Sequence, residues 1–267
     1  MRAPVRSTAD QDPPGGPRAR HRPPATSPAR SSPPPAASRT SGNRRLERPL
    51  ADRAGGHLSG TPVGKPTGGD SSASTPVLGP VTTARLVLTP LVTSDIAAFV
   101  AYRRDPDVAR WQSWEPTYAE EDARELVAGR PTAGLPDPGR WLQLGIRDRA
   151  TRQLLGDVAV HCLADQPATW EIGITLAAAS QGRGVATEAV GAVLQHLFTT
   201  AGAHRVVASC DSRNQPVARL LRRLGMRHES RAVDGDFSKG GWTTLDGYAV
   251  LAREHLTAGR AVAGPVP

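Results

Sequence analysis

Fifteen of the 25 prolines fall within residues 1–80, and that asymmetry decides how much of the chain can fold. The stretch Ser31-Ser32-Pro33-Pro34-Pro35-Ala36-Ala37-Ser38 is typical of the segment. With almost no aromatic residues and no sustained hydrophobic periodicity, it cannot bury enough apolar surface to offset the entropy of ordering it. Residues 1–80 are therefore expected to form a disordered tail with local polyproline II character. Residues 81–256 remain as one domain with one ordinary core, and residues 257–267 as a flexible C-terminus.

Charge divides at the same boundary. Residues 1–80 carry 12 Lys+Arg against 5 Asp+Glu, so +7 of the chain's +8 sits there and the folded part is close to neutral. Such a tail can grip nucleic acid or a ribosome weakly. It can equally be a solvated extension, or the product of a start site misassigned upstream of Val77 or Val81. No aromatic residues interleave with its arginines, which leaves stacking on nucleic-acid bases unsupported. The basic residues do not lead into a 7–15-residue apolar run, so no signal peptide is expected. Nor is there a run of about 18 apolar residues, so no membrane association is expected. Cys162 and Cys210 lie in strand-like segments without ligand spacing and read as buried thiols in a reducing cytoplasm, with a disulfide as the alternative. The seven histidines form no pair at metal-ligand spacing, and no metal is predicted.

Within the folded part, Arg85-Leu86-Val87-Leu88 reads as the first strand. Thr93 and Ser94 offer N-caps to a helix whose face is Ile96, Phe99 and Val100, and Asp105-Pro106-Asp107 opens a short second helix. Thr117 and Glu120 have capping-box spacing ahead of Ala123, Leu126 and Val127. Residues 128–140, rich in Gly and Pro, read as a loop. Alternation around Leu142, Leu144 and Ile146, then Leu154 to Cys162, then Ala168 to Leu176 predicts a three-stranded antiparallel meander. An amphipathic helix over Val185 to Phe198, a strand over Arg205 to Cys210, and a helix opened by Pro216 and closed by Leu224-Gly225 follow. His228 to Val233 and Trp242 to Ala252 read as a final hairpin.

The chemistry concentrates where strand 168–176 runs into Gln181-Gly182-Arg183-Gly184-Val185-Ala186-Thr187. Gly182, Gly184 and the small Ala186 let the backbone approach a ligand closely. Amides at the helix start bind anions through oriented N–H groups and the helix dipole, and Arg183 can add charge-assisted bonds. The P-loop and dinucleotide patterns both fail, because no Lys-Ser/Thr follows the glycines and the three-glycine fingerprint is incomplete. On its own a Gly-x-Gly turn before a helix can also be a plain strand–helix connection.

The spacing Gln181-x-x-Gly184-x-Ala186 resembles the Gln/Arg-x-x-Gly-x-Gly/Ala signature of the GNAT superfamily of acetyl-CoA-dependent N-acetyltransferases. Asn214 with Leu224-Gly225-Met226 resembles that superfamily's Asn…Leu-Gly-Phe segment at its usual separation. The resemblance covers roughly residues 83–254, and Tyr102 to Trp111 looks like the RimJ/RimL-type branch. It implies an α/β (α+β mixed) fold with a central, mostly antiparallel sheet, helices on both faces, and a V-shaped splay between strands 168–176 and 205–210. It further implies that acetyl-CoA, as co-substrate, bonds the backbone near Ile174, Thr175 and Leu176. Its pyrophosphate would rest on Gln181, Gly182, Arg183, Gly184, Val185, Ala186 and Thr187, with Asn214 on the pantetheine side. Asn214 can also serve as an N-cap.

Transfer to an amine needs a proton acceptor. Glu171 shares a strand face with Gly173 and Thr175 beside the implied channel and is the candidate base, with a surface salt bridge as its alternative role. Glu188 reads as structural, and Asp234 and Asp236 are further base candidates. The family segment has Ser three residues after the Asn; here Val217 stands there, so no hydroxyl acid is available at that point. Trp111 and Trp114 lie in the region that lines the acceptor site in that branch, where they can stack on an amine or simply pack helices. Trp141 and Trp242 read as core or sheet-cover residues.

The function expected is acetyl transfer to a primary amine by direct attack, the acceptor being a protein N-terminus. The alternatives are a small-molecule amine of aminoglycoside type and a catalytically weak acyl-CoA-binding module. An α-amino group, with a pKa near 7.7–8.0 against about 10.4 for Lys, is neutral more often at pH 7 and asks less of a base. The sequence does not specify an oligomeric state.

Overall fold

The computed structural model describes residues 80–131 and 134–262. The expectations for the 1–80 tail, save Pro80, and for residues 263–267 lie outside them. Among the described residues, eight strands form one sheet in the order β1-β2-β3-β4-β5-β6-β8-β7. They are β1 (Val81–Thr82), β2 (Leu86–Pro90), β3 (Trp141–Asp148), β4 (Leu154–Cys162), β5 (Thr169–Leu176), β6 (Arg205–Asp211), β7 (Arg227–Ser238) and β8 (Gly241–Leu251). Every neighbouring pair is antiparallel except β5–β6. The meander over 141–176 forms as its alternation requires, with Leu142, Leu144, Ile146, Val158 and Val160 each at most 2 % exposed.

Helices cover both faces. One face carries α1 (Ile96–Arg103), α2 (Pro106–Ala109) and α3 (Glu120–Ala128), whose Ile96, Phe99, Val100, Val108, Ala123 and Val127 form a core with Leu91 and Tyr118. The opposite face carries α4 (Val185–Thr199) and α5 (Gln215–Arg223), packed on Trp170, Ile172, Val206, Ala208 and Tyr248. Strand alternation explains the division: Ile172 and Trp170 point to α4, while Glu171 and Thr175 point the other way.

The α1 face also holds buried charge. Asp157 of β4 accepts from the Tyr102 hydroxyl at 2.5 Å and lies 3.7 Å from the Arg103 guanidinium. Burial pushes the Asp157 carboxyl up against the opposing pull of Arg103 and Tyr102. Arg103 in turn stacks between aromatic rings, 4.1 Å from the Phe99 centroid and 3.8 Å from that of Trp114. A guanidinium so enclosed fixes α1 and the segment that follows it against the sheet.

Several local expectations are corrected. The α3 N-cap is Ala119, not Thr117, and Asp122 accepts from the Ala119 N–H at 3.3 Å. The start of α1 is organised by a 3₁₀ turn over Thr93–Asp95, where Asp95 accepts from the Val92 N–H. A helix, α6 (Ala252–Val262), begins directly after β8, where the sequence predicted no element. The last hairpin is longer than its two apolar segments suggested, and Trp242 at its tip is 64 % exposed, meeting only the Phe237 ring edge-on among the aromatic residues, so it is not a core residue. The α5 stop stands as read, with Gly225 at φ +81° and the Met226 N–H returning to the Leu221 carbonyl.

Candidate active site

The site follows from the one parallel pairing among the described strands. β5 and β6 share three rungs, Thr169↔Arg205, Trp170↔Val206 and Glu171↔Val207, and then separate, although β5 continues to Leu176 and β6 to Asp211. A cleft of about 90 Å³ opens beyond the last rung, between Ile172, Gly173 and Ile174 on one side and Ala208, Ser209 and Cys210 on the other. Asn214, Val217 and Leu221 of the α5 region and Trp111 and Gln112 of the α1–α3 side close it.

At the far end of β5 the chain passes through a short 3₁₀ turn (Ala178–Ser180) into the glycine loop. Gly182 and Gly184 have φ of +71° and +77°, a left-handed conformation that side chains resist. In this arrangement the amides of residues 182–187 make no hydrogen bond to a described residue; the first such bond is Glu188 N–H to Gly184 O. A row of free donors at the start of a 15-residue helix suits an anionic group. The splayed strands and the free amides together accommodate a ligand with an extended amide-bearing arm ending in phosphates, which is the shape of acetyl-CoA.

The structure distributes the anticipated residues unevenly. The Gln181 side chain donates to the Leu176 carbonyl at 3.2 Å, so it shapes the loop from within. Part of the open β5 edge near Ile174 is bridged by Gln112, whose Nε2–H donates to the Ile174 carbonyl at 3.4 Å. Asn214 is the α5 N-cap, its Oδ1 accepting from the Val217 N–H at 3.4 Å, and it is buried at the cleft. Trp111 reaches the cleft, whereas Trp114 does not; its ring lies on Arg103 and its Nε1–H donates to the Arg103 carbonyl. Asp234 is exposed at a positive-φ position in β7, and neither it nor Asp236 lines the cleft.

Glu171 stands at the vertex, on the last shared rung, immediately before the lining residues. It is 8 % exposed and its Oε2 has no hydrogen-bond donor among the described residues. Glu188 is structural, as expected: it accepts from Thr83 Oγ1 at 2.5 Å, the Arg85 backbone N–H at 3.0 Å and Arg85 Nε at 2.7 Å. Against the penalty of partial burial, these bonds hold its carboxyl below the usual range. The consequence for the loop was not legible in the sequence. Arg85, anchored by Glu188, donates to the Arg183 carbonyl and hangs over Gly184, adding a cation beside the free amides.

Cys210 was read only as a buried thiol, yet it lines the cleft. Burial first, then the carboxylates of Asp246 and Asp211, pushes its thiol up to about 11. A protonated sulfhydryl there is a poor nucleophile. Alkylation of Cys210 by iodoacetamide at pH 7.5 should be on the order of 100-fold slower than that of a free thiol. Peptide mass mapping should show it rising steeply above pH 10 and slowing further when coenzyme A is added. Rapid labelling at neutral pH would show that the thiol is not held protonated.

Among the described residues no group of His, Cys, Asp or Glu could hold a metal ion, and no helix is long and apolar enough to cross a membrane.

Comparison with known proteins bears on this geometry. Residues 85–227 match the family described as Acetyltransferase (GNAT) domain. The uncharacterized N-acetyltransferase YnaD of Bacillus subtilis (strain 168) is 28 % identical over 179 residues, covering 65 % of this chain and 98 % of that protein. Two solved structures, each 18 % identical, share the fold. Spermidine N-acetyltransferase from Vibrio cholerae, in complex with CoA and spermine, superposes with a TM-score of 0.57 over 65 % of this chain and 99 % of its own. RimL, a ribosomal L7/L12 alpha-N-protein acetyltransferase in complex with coenzyme A, does so with a TM-score of 0.56 over 65 % and 98 %. A matched domain spanning more than half of the sequence, on a sheet splayed at its one parallel pair, means that the chain belongs to the GNAT acetyltransferases and is an N-acetyltransferase that uses acetyl-CoA.

Proposed function

We propose that the enzyme acetylates the α-amino group of a peptide or protein N-terminus, in the manner of the RimJ/RimL-type branch, with Glu171 accepting the amine's proton. The observation that carries this reading is the position of Glu171 on the last rung before the strands part. A carboxylate there stands beside the place where an acyl group carried down the cleft would end. Trp111 and Gln112, which reach the cleft from the side where the acceptor would enter, are neutral. A polycationic acceptor draws on clustered carboxylates, whereas a single α-amine asks only for a proton acceptor and an uncharged wall. At pH 7 about a tenth of α-amino groups are neutral, against well under a thousandth of lysine side chains.

Val217 stands in the cleft lining where a hydroxyl acid would assist the departing thiol. A thiol of pKa about 8.5 leaves as thiolate without such help, so the apolar residue is compatible with turnover. The action is proposed to take place in the cytoplasm, where Cys162 and Cys210, both free, stay reduced.

An acceptor screen tests the assignment. The full chain is mixed with acetyl-CoA and peptides beginning with Ser, Ala or Met, an Nα-blocked lysine peptide, spermidine or kanamycin, and thiol release is followed. Turnover is expected on a free N-terminus and little on the blocked peptide. Faster turnover on spermidine or kanamycin would replace the acceptor class. Coenzyme A binding with no thiol release on any acceptor would instead identify an acyl-CoA-binding module.

The catalytic apparatus is proposed to lie wholly within residues 81–256. A chain starting at Pro80, which keeps β1 intact, should turn over at the full-length rate with the acceptor found in that screen. Loss of coenzyme A affinity on truncation, measured by calorimetry, would show that residues before 80 contribute to the site.

A further inference from the structure

One row of side chains crosses the middle of the sheet: Trp141 of β3, His161 of β4, Glu171 of β5 and Val207 of β6 occupy successive paired positions. His161 is 0 % exposed, and neither ring nitrogen has a hydrogen-bond partner among the described residues. One flank of the imidazole is fixed by Trp141, whose ring lies parallel to it at 4.6 Å and 13°. Its Nδ1 faces Glu171 Oε2 at 3.6 Å, and that oxygen is likewise buried without a donor. A buried donor and a buried acceptor that face each other, each lacking any other partner, are strongly driven to pair. Hydrogen bonds within catalytic groups are commonly long in the free enzyme and tighten when substrate is bound.

We propose that His161 is a positioning residue for acetyl transfer: with the cleft filled, its Nδ1–H donates to Glu171 Oε2 and holds the carboxylate with its other oxygen toward the incoming amine. The proposal rests on Glu171 being the proton acceptor. The proton leaving the amine goes to Glu171. Trp141 sets the plane of the imidazole, so the aim of the carboxylate is fixed by the register of three strands and not by a loop.

Two near-isosteric replacements separate the roles. His161→Asn keeps an N–H at the place of Nδ1, whereas His161→Gln moves its amide to the place of Nε2 and leaves Glu171 without a donor. With the best acceptor from the screen and saturating acetyl-CoA, His161→Gln is expected to lose roughly tenfold in kcat, a share of the 10²–10⁴-fold that a general base contributes. KM for acetyl-CoA should not change, and His161→Asn should retain most of the rate. In a Glu171→Gln background, His161→Gln should cost nothing more. An acceptor-free readout completes the set: the full chain saturated with coenzyme A should show a downfield imidazole N–H proton by NMR that disappears in Glu171→Gln. Equal kcat for His161→Asn and His161→Gln, with Glu171→Gln slow, overturns the inference and leaves Glu171 as base. Wild-type turnover in Glu171→Gln overturns both. A downfield proton unaffected by Glu171→Gln shows that the two groups do not pair, and also overturns it.

Discussion

Replacing Gly184 with Glu is expected to weaken coenzyme A binding on the order of 100-fold, the loss of about one charge-assisted hydrogen bond's worth of affinity. Two effects combine. Gly184 has φ +77°, where a side chain strains the backbone and pulls the free amides out of line. The new carboxylate also lies beside the amides proposed to hold the phosphates and within reach of Arg85, the cation it would neutralise. Gly184→Ala separates the contributions. An added Cβ meets only Arg85, at 3.5 Å, so crowding is slight and the alanine reports backbone strain alone. Isothermal titration of the three forms should rank them Gly, Ala, Glu in falling affinity. A folded Gly184→Glu with unchanged affinity would remove the phosphates from this loop.

Glu171→Gln should lower kcat about 10²–10⁴-fold and leave coenzyme A affinity nearly intact, because the loop proposed to hold the phosphates lies ten residues further on. The sign of the pH response identifies the role. The amine must be neutral to attack, and the wild-type enzyme can remove its proton below the amine's pKa. The glutamine variant depends on the neutral fraction already in solution, so its rate should climb toward the wild-type value as pH rises through about 8 for an α-amine. A carboxylate that merely braces the sheet would instead lower the melting temperature and show no recovery at high pH. Rates equal to wild type at all pH values would assign the proton to water.

What was readable in the sequence was whatever depends on neighbours within a few residues. The Gly182–Gly184 turn, the α5 start at Asn214 and its stop at Gly225, and the strand alternation around Leu142–Ile146 are all local, and the structure places them as read. Glu171 could be assigned to a strand face from alternation alone. Its partner could not. His161 is an isolated histidine in a strand, and only the β4–β5 register, ten residues apart across a turn, sets it opposite Glu171. The two tryptophans near α2 show the same limit. Trp111 and Trp114 are indistinguishable by pattern, but Arg103 captures one ring and leaves the other to the cleft. Arg85 and Glu188, more than a hundred residues apart, meet only because β2 passes beside the start of α4.

The early end of the β5–β6 ladder has a thermodynamic consequence. An eight-stranded sheet normally gains cohesion from continuous pairing across its width, yet here its centre is left unzipped for the last few residues of both strands. An arm carrying its own amides can supply the absent pairing, which makes the acyl donor a structural component as well as a reactant. Binding to the native state alone adds RT ln(1 + [L]/Kd) to folding stability, about 2.7 kcal/mol at a hundred times Kd. Amide exchange at Gly173–Leu176 should then slow on adding coenzyme A, and resistance to proteolysis should rise with it. In a cell, the lifetime of such a protein would track the supply of acyl-CoA, so that the enzyme persists when its substrate is plentiful and is cleared when it is scarce.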